Sequence, residues 1–204
     1  MTNSVQQTVY IIDDDEAVRD ALGMLIRSIG LEVKIYESAI AFLEHYEEKN
    51  RGCLVLDIRM PLMSGLELQD ELISRQSTLP IIFISGHGDI PMAVKAVKKG
   101  AMDFFSKPFH DQELLDGIQR ALRENLDIYE KAASQNRIAS RRATLTKREN
   151  QVLTLMTDGV ANKVIAIDLN ISQRTVEVHR ASVMEKMQAK SLAQLVKMVS
   201  SIGN

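Results

Sequence analysis

The sequence predicts an α/β domain built on a five-stranded parallel sheet, followed by a separate all-α domain. Three observations lead to this prediction. Short apolar runs alternate with amphipathic helical segments through the first part of the chain. The last sixty residues show helical periodicity. The length of 204 residues suits two small domains or one large one.

Five short apolar segments are expected to form the sheet: 8–13, 33–36, 53–57, 80–85 and 102–106. The third, Cys53-Leu-Val-Leu-Asp57, is continuously apolar, as in a strand that is buried on both faces of a parallel sheet. The intervening helices are predicted over 15–29, 38–46, 64–74 and 90–99. Ser38 is a suitable N-cap, and Gly100 a suitable helix stop. Strands separated by helices imply right-handed crossovers in a parallel sheet.

A further helix is predicted to begin near Asp111 and to extend beyond the sheet domain. Its apolar residues recur at steps of three or four, namely Leu115, Ile118, Leu122, Leu126, Tyr129 and Ala133. Residues 132–143 are small and polar, so we predict a helical linker over 126–142 between a domain over 1–125 and a domain over 143–204. A continuous helix and a mobile segment both stay open. A coiled-coil dimer has weak support, because the stripe spans barely three heptads.

The last domain is predicted to contain four helices. Thr146 and Glu149 form the capping-box pattern of the first helix, which Gly159 ends. The second helix begins at Asn162, and a tight corner at 170–171 follows it. Ser172 can cap a third helix from 173 to about 187, and a fourth follows Ser191. Two short helices, a tight turn and a third helix with polar residues near its start match the helix-turn-helix plan.

Charge and composition bear on nucleic-acid binding, on disulfide formation and on membrane insertion. The formal net charge is −2, but residues 1–125 carry 13 basic against 20 acidic side chains, whereas residues 143–204 carry eight against five. This asymmetry suggests a nucleic-acid-binding tail, and chance variation between two domains explains it equally well. The single cysteine, Cys53, excludes an intramolecular disulfide. Without a signal peptide or an apolar run of about 18–20 residues, we expect a cytoplasmic protein that does not enter a membrane.

Polar side chains follow the predicted strands at the edge where parallel α/β sheets bind ligands. They are Asp13, Asp14, Asp57, Ser85 and Lys107. Clustered carboxylates suit a hard divalent cation, most plausibly Mg²⁺. A carboxylate beside that cation can attack phosphorus and form an acyl phosphate, while an ammonium neutralises the phosphoryl oxygens. Asp15 fits a charge at the N-terminus of the first helix better than a metal ligand.

This ordered set resembles the receiver domain of two-component response regulators. The resemblance covers residues 7–125 and depends most on three segments: IIDDDEAVR, LVLDIRMPLMSGLEL and FISGHGDIPMAVKAVKKGAMDFFSKPF. It implies a CheY-like (flavodoxin-like) fold, with Asp57 as phosphoacceptor and Mg²⁺ as cofactor. The implied ligands are Asp13, Asp14, Asp57 and the backbone carbonyl of Arg59. It also implies that Ser85 contacts the phosphoryl group and that Lys107 forms an ion pair with it. Phe104 would be the switch aromatic, the ring that moves with Ser85 on activation. The Lys107–Pro108 peptide would be cis. No catalytic role is predicted for the neighbouring His87.

The C-terminal part of the chain resembles the four-helix output domain of the LuxR/NarL/FixJ family. The segment that shows this is LTKRENQVLTLM…GVANKVIAIDLNISQRTVEVHRASVMEKMQAKS. The helix that begins at Gln173 is then the recognition helix. Its implied base-facing residues are Glu177, Val178 and Ala181, of which Glu177 could accept from cytosine and the other two could contact thymine methyls. The residues expected to contact phosphates or groove edges are Lys163, Arg174, Thr175, His179, Arg180 and Lys190.

Together the two resemblances imply a transcription factor rather than an enzyme. A sensor histidine kinase would phosphorylate Asp57, a homodimer would form, and the dimer would bind promoter DNA and activate transcription through RNA polymerase. One alternative is a metal-dependent aspartyl-phosphate phosphatase or phosphotransferase. Such enzymes usually place their nucleophile on the first strand, whereas the lone strand-end Asp here follows the third. A receiver whose tail binds RNA or protein is a third possibility.

Overall fold

The computed structural model describes residues 7–86 and 90–203, which form an α/β unit and an all-helical unit. The strands are β1 (Thr8–Ile12), β2 (Glu32–Tyr36), β3 (Gly52–Asp57), β4 (Ile81–Ser85) and β5 (Asp103–Ser106). The helices of the first part are α1 (Glu16–Ser28), α2 (Ala39–Glu44), α3 (Gly65–Ser74), α4 (Ile90–Lys98) and α5 (Asp111–Ala143). The remaining helices are α6 (Lys147–Thr157), α7 (Asn162–Asp168), α8 (Gln173–Met187) and α9 (Leu192–Ser201). The predicted fold class is confirmed, and the strand boundaries differ from the predicted ones by a single residue.

The five strands form one parallel sheet in the order β2-β1-β3-β4-β5. The chain crosses from β2 over β1 to reach β3, so the strand order reverses between β1 and β3. In open α/β sheets the carboxyl ends of the strands at this point border a ligand crevice. We therefore expect a ligand-binding or reactive site at the carboxyl ends of β1 and β3.

Alternate residues of the strands support a hydrophobic core on each face of the sheet. On β1, Tyr10 and Ile12 pack on the side of Phe42 of α2, and Val9 and Ile11 pack on the other side. The first core includes residues of α2, α3 and α4, and the second includes residues of α1 and α5. All six residues of β3 are buried, which agrees with its continuously apolar sequence.

Side chains cap the helices that lead away from the strand ends. The Asp15 carboxylate accepts from the amides of Ala17 and Val18, which gives Asp15 its predicted place at the start of α1. Ser38 caps α2, as predicted. Ser64 and Glu67 form a complete capping box at α3. These caps fix the turns that follow β1, β2 and β3.

α5 is one uninterrupted helix of 33 residues, roughly 50 Å long at 1.5 Å per residue. The chain divides into the units Met1–Tyr129 and Glu130–Asn204, so their boundary lies within this helix. Its first part buries Leu114, Leu115 and Ile118 against the sheet. Ile138, near its end, is buried in the core of the second unit.

The second unit buries a core shared by the end of α5 and by α6 to α9. Its fully buried residues include Val152, Leu153, Ile165, Val176, Val183, Met187 and Leu195. The corner between α7 and α8 contains Asn170 in the left-handed region, with φ of 52°. Ser172 then caps α8, as predicted. No helix within the described ranges has both the length and the apolarity that a membrane span requires.

Candidate functional site

Lys107 brings together two buried carboxylates at the carboxyl edge of the sheet. Its ammonium donates to Asp13 Oδ2 at 2.7 Å and to Asp57 Oδ1 at 2.9 Å. Asp13 follows β1, Asp57 is the last residue of β3, and Lys107 follows β5. Three residues from three separate strand ends therefore meet at one point.

The electrostatics of this cluster follow from burial and from the shared ammonium. Burial raises the pKa of Asp57 above its usual value, although the hydrogen bond and the charge of Lys107 act in the opposite direction. Burial alone would lower the pKa of Lys107, but its hydrogen bonds to Asp13 and Asp57 and their negative charges raise it overall. Lys107 is thus a stable cation beside two carboxylates that repel each other.

Backbone amides orient the remaining carboxylate oxygens. The amide of Arg59 donates to Asp57 Oδ2 at 2.6 Å, and the amide of Asp15 donates to Asp13 Oδ1 at 2.9 Å. The guanidinium of Arg19 donates to the backbone carbonyl of Asp13 at 2.8 Å. Both carboxylates are therefore held by the turn that follows their own strand.

The other predicted receiver residues lie at neighbouring strand ends. Ser85 is buried at the end of β4, and its carbonyl accepts from the amide of Lys107 at 2.7 Å. The Lys107–Pro108 peptide is cis, as the resemblance implied. Phe104 is half-buried on β5, opposite Phe83 of β4. His87 lies outside the described residues.

The donors at this edge have the chemistry of a magnesium site. Asp13 and Asp57 are adjacent and buried, and Asp14 is exposed beside an open cavity of about 550 Å³ that Arg59, Met60, Ser64 and Met92 also line. Carboxylate and carbonyl oxygens are the ligands that Mg²⁺ prefers. Within residues 7–86 and 90–203, however, no three Asp, Glu, His or Cys side chains stand close enough together to hold a metal ion. The donor types therefore fit the cation, and Lys107 holds two of the carboxylates.

The predicted base-facing residues share one exposed stripe of α8. Glu177, Val178 and Ala181 are exposed and recur at helical spacing with Arg174. Val178 is 59% exposed. The flanks carry the half-buried Thr175, His179 and Arg180. Lys163 on α7 and Lys190 after α8 are exposed.

A polar contact between α6 and α8 was not predicted from the sequence. Glu149 was predicted only as a capping-box residue, and it does accept from the Thr146 amide at 2.7 Å. Its carboxylate also accepts from Ser182 Oγ at 2.6 Å and from Lys186 Nζ at 2.7 and 2.8 Å. These contacts lower the pKa of Glu149 to about 2, with the hydrogen bond from Lys186 as the largest cause. Only the spacing of Ser182 and Lys186, one helical turn apart, could have signalled a shared partner.

Asn125 makes a second set of contacts that the sequence did not predict. Its side chain is buried at the amino edge of the sheet, where Oδ1 accepts from the Gly52 amide at 3.0 Å and Nδ2 donates to the Thr78 carbonyl at 2.9 Å. Gly52 begins the strand that Asp57 ends. Asn125 therefore fixes α5 to the start of the central strand.

Comparisons with known proteins agree with this arrangement. The sequence profile of the response regulator receiver domain matches residues 9–119, and that of the bacterial regulatory proteins of the luxR family matches residues 143–199. The chain is 48% identical over 200 residues to the response regulator protein TmoT of Ectopseudomonas mendocina, covering 98% of this chain and 91% of TmoT. It is 47% identical to the transcriptional regulatory protein FixJ of Rhizobium meliloti, over 96% of each chain. The solved structure of the response regulator StyR superposes with a TM-score of 0.88 at 46% identity, covering 96% of this chain and 99% of StyR.

Proposed function

Because the chain belongs to the two-component response regulators with a LuxR-type DNA-binding domain, we propose that phosphorylation of Asp57 controls its activity as a transcription factor. The observation that carries this proposal is the contact of Lys107 with both Asp57 and Asp13. A buried carboxylate with a shared cation at the strand-order reversal is equipped to accept a phosphoryl group. Asp57 is the nucleophile, and Lys107 neutralises the charge that it gains.

A sensor histidine kinase supplies the phosphoryl group in this proposal. An oxygen of Asp57 attacks phosphorus, the bond between phosphorus and the kinase imidazole breaks, and an acyl phosphate forms. Asp13, Asp14, Asp57 and the carbonyl of Arg59 would hold Mg²⁺, which supplies positive charge to the phosphoryl oxygens. Asp13 and Lys107 are already adjacent to Asp57.

The new charge on Asp57 draws in neighbouring groups. Ser85 lies at the end of the next strand and can donate its hydroxyl to the phosphoryl group, and Phe104 turns inward as Ser85 moves. The face made by α4, β5 and α5 then favours a homodimer. Two copies of α8 can read two half-sites of promoter DNA, and contact with RNA polymerase activates transcription.

Substitution of the proposed phosphoacceptor tests the first half of this function. The full-length protein and its Asp57→Asn variant are incubated with labelled acetyl phosphate or with a kinase, in the presence of Mg²⁺. The wild type is expected to be labelled stoichiometrically and the variant to stay unlabelled, with Asp20→Asn, which removes an exposed carboxylate of α1, as a control that should still be labelled. Stoichiometric labelling of Asp57→Asn would exclude Asp57 as the acceptor. Robust turnover of generic phosphoesters by the wild type would favour a phosphatase instead.

A gel-shift experiment tests the second half. Phosphorylated protein is mixed with duplex DNA that carries a promoter, or with RNA of equal length, across a range of salt concentrations. We expect tighter binding to the DNA, and an affinity that falls as salt rises because phosphate contacts release counterions. Equal or tighter binding to the RNA would overturn the assignment to DNA.

A further inference from the structure

Lys186 is a basic residue on α8 whose ammonium is directed to another helix. Its Nζ lies 2.7 and 2.8 Å from the two oxygens of Glu149, on α6. The side chain of Glu149 is only 7% exposed, and that of Lys186 is 35% exposed. A charge pair with one buried partner and two short contacts is far stronger than an exposed ion pair. The ammonium of Lys186 is thus committed to Glu149.

Ser182 strengthens the same connection from one turn earlier on α8. Its hydroxyl donates to Glu149 Oε1 at 2.6 Å. Ser182 and Lys186 are four residues apart and share one flank of the helix, roughly a quarter to a third of a turn from the exposed stripe that includes Glu177 and Val178. Thr175 and His179 lie on that same flank.

The apolar contacts of α8 determine which face of the helix is buried, and the hydrogen bonds add a directional constraint on its rotation. Val176, Val183 and Met187 are buried against the core, which sets the distance of α8 from its neighbours. Apolar contacts are not directional, whereas hydrogen bonds to a fixed carboxylate are. The two contacts from Ser182 and Lys186 therefore fix the direction in which the exposed stripe points.

Glu149 is itself rigidly held. Its second oxygen accepts from the amide of Thr146, the N-cap of α6, and Val152, Leu153 and Met156 bury that helix in the core. The carboxylate therefore acts as a fixed point for α8.

From this geometry we propose that Glu149 is a positioning residue for DNA reading, which acts through Ser182 and Lys186 to orient the exposed stripe of α8. The inference rests on the proposed DNA-binding function and deepens it. It assigns Lys186, a lysine of the recognition helix, a structural role and not a phosphate contact. Base contacts require the correct rotation of α8, whereas the phosphate contacts expected of Lys163 and Lys190 lie outside α8, and the long side chains of Arg174 and Arg180 can follow a small rotation.

The test compares specific and non-specific DNA binding of full-length variants, all treated with acetyl phosphate. The specific probe is a duplex that the wild type selects from a random library, and the non-specific probe is a scrambled duplex of equal length. The variants are Glu149→Gln, Lys186→Met, Ser182→Ala and the conservative Lys186→Arg. Lys163→Met, which removes an expected phosphate contact, is the matched control.

We expect Glu149→Gln and Lys186→Met to lose about tenfold in affinity for the selected duplex, which equals the discrimination of one base contact. Their affinity for the scrambled duplex should fall less than this, their salt dependence should stay unchanged because neither variant removes a phosphate contact, and Lys186→Arg should retain wild-type discrimination. Lys163→Met should weaken binding to both duplexes and reduce the salt slope by about one. Ser182→Ala keeps the charge pair and should therefore lose less discrimination than Lys186→Met. The comparison of these two variants tests the inference even if Glu149→Gln does not fold.

A reduced salt slope for Lys186→Met, with equal losses on both duplexes, would make Lys186 a phosphate contact and overturn the inference. Unchanged discrimination in Lys186→Met would overturn it as well. If the wild type selects no duplex from the library, the proposed DNA-binding function fails first, so the two failures are distinguishable.

Discussion

A Cβ atom on Gly65 would lie 2.2 Å from the backbone carbonyl oxygen of Asp57, so the start of α3 packs directly against the end of β3. The amide of Gly65 also donates to the Ile58 carbonyl at 2.9 Å, which holds the two segments together. The nearest obstacle is backbone, and a larger residue cannot be accommodated by moving a side chain. The position of the proposed phosphoacceptor thus depends on a residue without a side chain.

Gly65→Ala is therefore expected to displace the end of β3. We expect the free energy of unfolding to fall by about 1–3 kcal/mol and labelling by acetyl phosphate to slow. Urea denaturation and a labelling time course measure the two effects. Gly117→Ala is the control, because a Cβ there meets only side chains, namely the Phe105 ring at 3.2 Å and the Arg120 guanidinium at 3.8 Å. Unchanged stability and labelling in Gly65→Ala would contradict the close packing.

Replacement of Lys107 by methionine should destabilise the receiver unit in a pH-dependent way. Without the ammonium, Asp13 and Asp57 face each other as buried like charges, and we expect a loss of about 3 kcal/mol at neutral pH. The pKa of Asp57, already raised by burial, then rises further. Because a carboxyl with a raised pKa destabilises the folded state only where it is ionised, the loss should shrink as the pH falls toward 3.8, the usual pKa of Asp.

Denaturation of Lys107→Met at several pH values checks this expectation, with Lys107→Arg as the variant that retains the charge. A loss that stays constant from neutral to acidic pH would show that Lys107 acts through packing alone.

The strand-end site was predictable because it depends on local sequence and on one rule of sheet topology. Asp13, Asp57 and Lys107 each follow an apolar run, and parallel strands bring their carboxyl ends to one edge. The contacts of Asn125 and Glu149 were not predictable in this way. Their partners lie 73 and 37 residues away in sequence, and neither pairing leaves a periodic signal.

Asn125→Ala should destabilise the receiver unit from the edge opposite Asp57. The substitution removes the partners of the Gly52 amide and the Thr78 carbonyl, and a buried polar group that loses its partner costs free energy. We expect the free energy of unfolding to fall by about 2–4 kcal/mol in chemical denaturation. Glu124→Ala, at the neighbouring exposed position of α5, should change it little. Equal effects of the two substitutions would show that Asn125 makes no special contribution.

The contact of Glu149 with Lys186 should make the helical unit sensitive to acid. The pKa of Glu149 is lowered from 4.5 to about 2, chiefly by its hydrogen bond with Lys186. A carboxyl with a lowered pKa stabilises the folded state fully above its unfolded value, and this stabilisation is lost as the pH falls through 4.5 toward 2. Glu149→Gln should therefore lose about 2 kcal/mol at neutral pH and show a flatter dependence on pH below 4.5.

Amide hydrogen exchange of residues 173–187 in the full chain measures this effect, once it is corrected for the intrinsic exchange rate at each pH. In the wild type, the protection of α8 should fall between pH 4.5 and about 2, and in Glu149→Gln it should already be low at neutral pH. Glu177→Gln removes an exposed carboxylate from the same unit and should leave the wild-type profile unchanged. Because Lys186→Met removes the main cause of the lowered pKa, it should shift the acid transition toward 4.5. If Lys186→Met left that transition in place, the low pKa of Glu149 would have to come from Ser182 and Thr146 alone.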